Sequence, residues 1–134
     1  MTTFAPVLLV DDDVPFVESM SRRFQRRDVA CETAFNGEEA LERLDRNKNI
    51  DVVILDVSMP GMDGLTALGR IKQQYPSVEV IMLSGHSMVE HVMEGIKLGA
   101  FDYLLKPCDM QELMSKIRQA RIRREIRRKT PDIR

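Results

Sequence analysis

Four places in this 134-residue chain set polar side chains at the ends of apolar runs. Asp11, Asp12 and Asp13 follow the run at 7–10. Asp56 follows the run at 52–55. Ser84 and Gly85 follow the run at 78–83, and Lys106-Pro107 follow the segment 101–105. Carboxylates brought close together repel one another and resist joint ionisation, and a hard divalent cation relieves that repulsion. An oxygen-only ligand set favours Mg²⁺ or Mn²⁺ over zinc. A carboxylate can also act as a nucleophile and form an acyl phosphate. The three peripheral oxygens of a transferred phosphoryl group then need neutralising, and a cation, the Lys106 ammonium and the Ser84 hydroxyl could take one each. Together these residues form a complete set for phosphoryl transfer onto Asp56.

The elements that must position these residues alternate in type. Five apolar segments, at 7–10, 29–34, 52–55, 78–83 and 101–105, have apolar residues on consecutive positions, as strands covered on both faces do. Five helical patterns lie between and after them. Asp13 can cap a helix running to about Arg27, with Pro15 tolerated in its first turn. Asn36 and Glu39 form a capping-box pair for a helix near 37–47. Asp63 can cap a third helix that ends before Pro76. A fourth runs over 87–98 and stops at Gly99. A fifth begins after Pro107, with Asp109 and Glu112 as a second capping-box pair, and can continue unbroken over 110–129, ~30 Å at the helical rise. Strand and helix repeated five times predict an α/β fold with a parallel sheet and right-handed crossovers. Open α/β sheets bind ligands at the carboxyl ends of their strands, and all four polar groups fall at that edge.

The motifs LLVDDD, ILDVSMPGMDG, MLSG and GAFDYLLKP, in this order, resemble those of the receiver domains of two-component response regulators, chemotaxis-regulator-like, over about residues 6–120. The resemblance implies a flavodoxin-like doubly wound sheet of order 2-1-3-4-5, with helices 1 and 5 on one face and 2, 3 and 4 on the other. It implies Asp56 as phospho-acceptor and Asp12 as a direct Mg²⁺ ligand, with Asp11 acting through water and the Ser58 carbonyl as a further ligand. Lys106 would bind the phosphate, Ser84 would follow it, and Tyr103 would report it through its rotamer. Ser58 and His86 correspond to positions that tune phosphoryl lifetime, the Lys106–Pro107 bond to one that is usually cis, and Asp13 to a variable position, which leaves it a helix cap. The implied donor is a phosphohistidine on a sensor histidine kinase or phosphotransfer protein, and the implied output is a reshaped helix 4–strand 5–helix 5 surface. The implied domain transfers the phosphoryl group to itself and removes it, without turning over an independent substrate.

Composition narrows the class further. Residues 1–117 hold 12 Lys/Arg against 19 Asp/Glu, whereas residues 118–134 hold 8 against 2, so an acidic body of net −7 carries a basic tail of net +6. Residues 1–120 are expected to form the receiver domain. Residues 121–134 would form a basic helical extension or linker, in which only Ile122 and Ile126 among 121–129 are large and apolar, so the extension is expected to project from the body. It could lead to an output domain or pair with another protomer in a phosphorylation-linked dimer. No aromatic or amide side chain accompanies its arginines, which speaks against sequence-specific nucleic-acid binding by this segment. No apolar run reaches membrane-spanning length and no leader is visible, so a cytoplasmic protein of bacterial type with reduced Cys31 and Cys108 is expected. Met59, Met62, Met88 and Met93 read as packing residues, and His86 and His91 as no metal pair. Two other functions share such a sheet. An aspartyl-phosphate phosphatase would want a second acid two residues after its nucleophile, where Ser58 stands. A nucleotide- or flavin-binding module would want a glycine-rich first loop, where Asp11-Asp12-Asp13 stands. A docking module that is never phosphorylated would have no use for the intact acidic set.

Overall fold

The computed structural model describes residues 5–57, 63–85 and 89–129, with the side chains of 89 and 90 left aside. The elements alternate as β1 (Val7–Val10), α1 (Val14–Arg26), β2 (Cys31–Ala34), α2 (Gly37–Arg46), β3 (Val52–Asp56), α3 (Gly64–Gln74), β4 (Glu79–Ser84), α4 (Val89–Leu98), β5 (Asp102–Leu105) and α5 (Met110–Lys129). The strands form one parallel sheet in the order β2-β1-β3-β4-β5.

Consecutive apolar residues on the inner strands serve two cores. Leu8, Val10, Val53, Leu55, Val80 and Met82 pack with Ala40 and Leu44 of α2 and with Ala67, Leu68 and Ile71 of α3. Their neighbours Val7, Leu9, Val52, Ile54, Ile81 and Leu83 pack with Val17, Met20 and Phe24 of α1 and with Leu113, Ile117 and Ala120 of α5. The pleat sends alternate side chains to opposite faces, so a strand apolar at every position demands helices on both. α4 lies against the α2–α3 face, where a Cβ on Gly95 would sit 2.1 Å from Met82 Sδ.

Local signals set the helix starts. Asp13, Asn36 and Asp63 each accept a backbone N–H three residues on, from Phe16 (3.1 Å), Glu39 (2.8 Å) and Thr66 (2.7 Å). The Glu39 carboxylate reaches back to the Phe35 N–H (2.9 Å) rather than to that of Asn36, a capping box displaced by one residue. At α5, Asp109 Oδ1 accepts from the Gln111 N–H (3.1 Å), one residue short of the expected Glu112. Gly99 ends α4 with φ +112°, and the Lys106–Pro107 bond is cis.

The expected projection of the basic stretch is corrected. Beyond Ala120, α5 runs past the amino-terminal edge of the sheet, and Arg121, Arg123, Arg124 and Arg127 turn back onto the body. Arg121 donates through Nε to Asp51 Oδ2 (2.9 Å) and through Nη2 to the Ala5 carbonyl (2.5 Å). Arg123 Nε (2.9 Å) and Arg127 Nη1 (3.2 Å) meet Glu79 Oε2, and Arg124 Nε donates to the Ser77 carbonyl (3.1 Å). Asp51 and Glu79 stand just before and at the start of β3 and β4, and both are buried. The apolar count along the helix missed this because ion pairs with buried carboxylates, not hydrophobic burial, hold the stretch down. Ile122 and Ile126 remain exposed.

Candidate functional site

Register brings the site together. Val10 pairs with Leu55 and Asp56 with Leu83, while Ser84 pairs with Leu105. The residues that follow or end these strands therefore emerge side by side at the carboxyl edge. Asp11 is held there by two backbone contacts: its N–H donates to the Ala34 carbonyl (3.1 Å), and its Oδ1 accepts the Asp13 N–H (3.0 Å). Asp11 and Asp56 are buried and Asp12 is exposed, and one carboxylate oxygen from each of the three lies within 4.8 Å of the others.

Lys106 closes the cluster from β5. Its Nζ lies 2.5 Å from Asp11 Oδ2 and 3.9 Å from Asp56 Oδ2. Its backbone N–H donates to the Ser84 carbonyl (2.7 Å), which ties the end of β5 to that of β4. Burial pushes the Asp11 carboxyl up to about 6, and the nearby Asp56 charge adds to this, although the bonds from Lys106 and the Asp13 N–H act against it. Three carboxyl groups facing one ammonium leave negative charge unbalanced. The donors are all oxygen, so the set fits a hard divalent cation.

The structure thus brings together Asp11, Asp12, Asp56 and Lys106, with Ser84 at the end of the adjoining strand. Tyr103 stands apart from them on edge strand β5, paired with Met82 and 41% exposed, in an open groove of about 460 Å³ with Leu105, Glu112 and Lys116. Ser58, Met59, Met62, His86 and Met88 lie outside the described residues.

Two contributors escaped the sequence reading. The Phe16 ring, in the first turn of α1, has its centroid 4.2 Å from Lys106 Nζ. Nothing local to Phe16 signals a partner 90 residues away. The other is Gly64, the first residue of α3. A Cβ there would lie 2.1 Å from Val57 Cα and 2.5 Å from the Asp56 carbonyl oxygen, so α3 presses backbone to backbone on the turn that carries Asp56. The glycine that closes the PGMDG segment, Gly64, was the available signal.

This edge arrangement matches a known family. The sequence model of the response regulator receiver domain matches residues 7–118. The chain belongs to that family. The DNA-binding transcriptional regulator NtrC of Escherichia coli K12 is 40% identical over 114 residues, 85% of this chain and 24% of NtrC. Among solved structures, NtrX from Brucella abortus superposes with a TM-score of 0.89 at 30% identity, over 98% of this chain and 30% of that one. The signal receiver domain of an HD domain-containing protein from Pseudomonas fluorescens Pf-5 gives 0.87 at 33% identity, over 96% of both chains. This receiver domain spans about a quarter of the length of the NtrC relatives it matches.

Proposed function

We propose that this receiver domain is a switch set by phosphorylation of Asp56. The observation that carries the reading is the convergence of three carboxylates within 4.8 Å with one lysine that reaches both Asp11 and Asp56. Asp11, Asp12, Asp56 and the Ser58 carbonyl would hold Mg²⁺, which when bound screens the carboxylates and the phosphoryl oxygens from one another.

The remaining chemistry belongs to the chain. An Asp56 carboxylate oxygen attacks the phosphorus of a phosphohistidine on a sensor kinase or phosphotransfer protein. A P–O bond forms as the P–N bond breaks, and the bonding pair leaves on the imidazole nitrogen. Lys106 moves from Asp11 toward a phosphoryl oxygen, and the Ser84 hydroxyl donates to another. Water later attacks the phosphorus and releases phosphate, at a rate set in part by Ser58 and His86. Drawing Ser84 inward makes room for Tyr103 to turn from its exposed position, which changes the α4–β5–α5 surface that a downstream protein or output domain reads. Phosphorylation biases an equilibrium between two packings. A phosphorylation-linked dimer and a cytoplasmic location fit this reading. Residues 121–134 would serve as the helical link onward from the receiver.

The test is intact mass after incubation with acetyl phosphate and Mg²⁺. One base-labile phosphate adduct is expected, lost in Asp56→Asn and absent with EDTA. Turnover of many phosphate esters without an adduct would point instead to a phosphatase, and no adduct across a wide donor range would overturn the switch.

A further inference from the structure

We infer that Phe16 is a positioning residue for Lys106, holding its ammonium over the site by the face of its ring while leaving its N–H donors free to change partner. The inference rests on the phosphoryl-acceptor reading above and adds a residue to it. Among the described residues, Lys106 Nζ meets Asp11 Oδ2 at 2.5 Å, Asp56 Oδ2 at 3.9 Å, and the Phe16 ring, whose centroid is 4.2 Å away. The carboxylate contacts are directional and compete with one another. The ring contact is not: the negative face of an aromatic ring attracts a cation without claiming a particular N–H.

Phe16 is itself fixed from below. Its backbone N–H donates to the Asp13 cap (3.1 Å), the Asp13 N–H donates to Asp11 Oδ1 (3.0 Å), and its side chain packs against the core shared by α1 and α5. Asp11, Asp13, Phe16 and Lys106 therefore form a closed ring of contacts that sets the ammonium's height above Asp56. If the Asp11 charge is taken up by a bound cation, the bond that holds Lys106 weakens. The Phe16 face then keeps the ammonium within reach of the acceptor, where an aliphatic side chain of the same bulk would let it swing into water.

The test compares Phe16→Leu, which keeps an apolar side chain and removes the ring face, with Phe16→Trp, which keeps a ring. Each is made in the wild-type chain and in a Lys106→Met background. Three quantities are read: the rate of acyl-phosphate formation from acetyl phosphate, the affinity for beryllofluoride as a stable phosphoryl mimic, and, where Lys106 is kept, the proton shifts of its ε-methylene. Phe16→Leu should slow phosphorylation and weaken beryllofluoride about threefold or more. It should also abolish an upfield ring-current shift at the ε-methylene. Phe16→Trp should retain all three, and neither substitution should cost anything further once Lys106 is Met. Equal loss in the Lys106→Met background, or wild-type rates and an unmoved methylene signal in Phe16→Leu, would overturn the inference. Failure of the wild-type chain to form any adduct would instead remove the phosphorylation reading, while the methylene shift would still decide whether the ring holds the lysine.

Discussion

Burial pushes the Asp11 carboxyl from 3.8 up to about 6, so a side chain suited to holding a cation keeps a proton into mildly acidic solution. A protonated carboxyl is a poor ligand. The Mg²⁺ affinity of the site should therefore fall about tenfold per pH unit below about 6 and level off above it, measurable by titration calorimetry. Asp11→Asn should flatten that profile, weakening binding most above pH about 6 and least where Asp11 is already protonated. For the metal-free fold the sign is opposite. The folded state keeps a proton that the unfolded chain has released, so stability contributed by protonated Asp11 below about 4 disappears as the pH rises through about 6. Urea midpoints across that window, with and without Mg²⁺, separate the two effects. The caps and the strand-end carboxylates could be read from sequence because each depends on residues within three positions of itself or on the end of an apolar run. The Phe16–Lys106 contact could not, because it depends on how α1 and β5 lie on the sheet, whereas the 2.1 Å approach at Gly64 had the glycine itself as its one signal.

Helix α5 behaves as two segments joined end to end. Up to Ala120 it is held by apolar side chains in the core. Beyond that, Arg121, Arg123 and Arg127 neutralise Asp51 and Glu79, with Lys72 3.8 Å from the other Glu79 oxygen. A buried carboxylate stripped of its partners is costly. Truncation after Ala120 should lower stability by about 3 kcal/mol, read as a fall in the urea midpoint, whereas a solvated extension would cost less than about 0.5 kcal/mol. Replacing Glu79 with Leu in the truncated chain should recover the Glu79 share of the loss and leave the share that comes from Asp51, which still lacks Arg121. The pairing was hidden in the sequence because Asp51 and Glu79 look like ordinary polar residues at strand starts, and nothing local says that their partners lie 44 to 70 residues on. Helix α3 offers a sharper test. Gly64→Ala should cost ~1–3 kcal/mol by overpacking and should also slow Asp56 phosphorylation, because the added methyl meets the backbone carrying the acceptor. Equilibrium unfolding and the acetyl phosphate assay on the same variant would show whether the two losses travel together.

The whole molecule is polarised along its strands. The carboxyl edge gathers acidic groups around Lys106, and the amino edge gathers arginines around two buried acids. The sequence showed the charge asymmetry but placed its basic half in solvent rather than beneath the sheet. If Asp56 is the acceptor, hydrogen exchange should change on phosphorylation in α4 and β5 and stay constant in α5 beyond Ala120. Uniform change through both edges would contradict a local switch surface. The arginine floor also bears on geography. A strand of four to six residues is ~13–20 Å long, so any chain continuing past Lys129 sets out from the far side of the domain. A neighbour tethered there would sit a full sheet-length from the phosphoryl group and could not touch it without wrapping around the body. Such a neighbour would learn of the signal second-hand, from a changed flank or from who else has docked there, and its response would depend on the anchored helix end as a fixed bearing rather than as a moving lever.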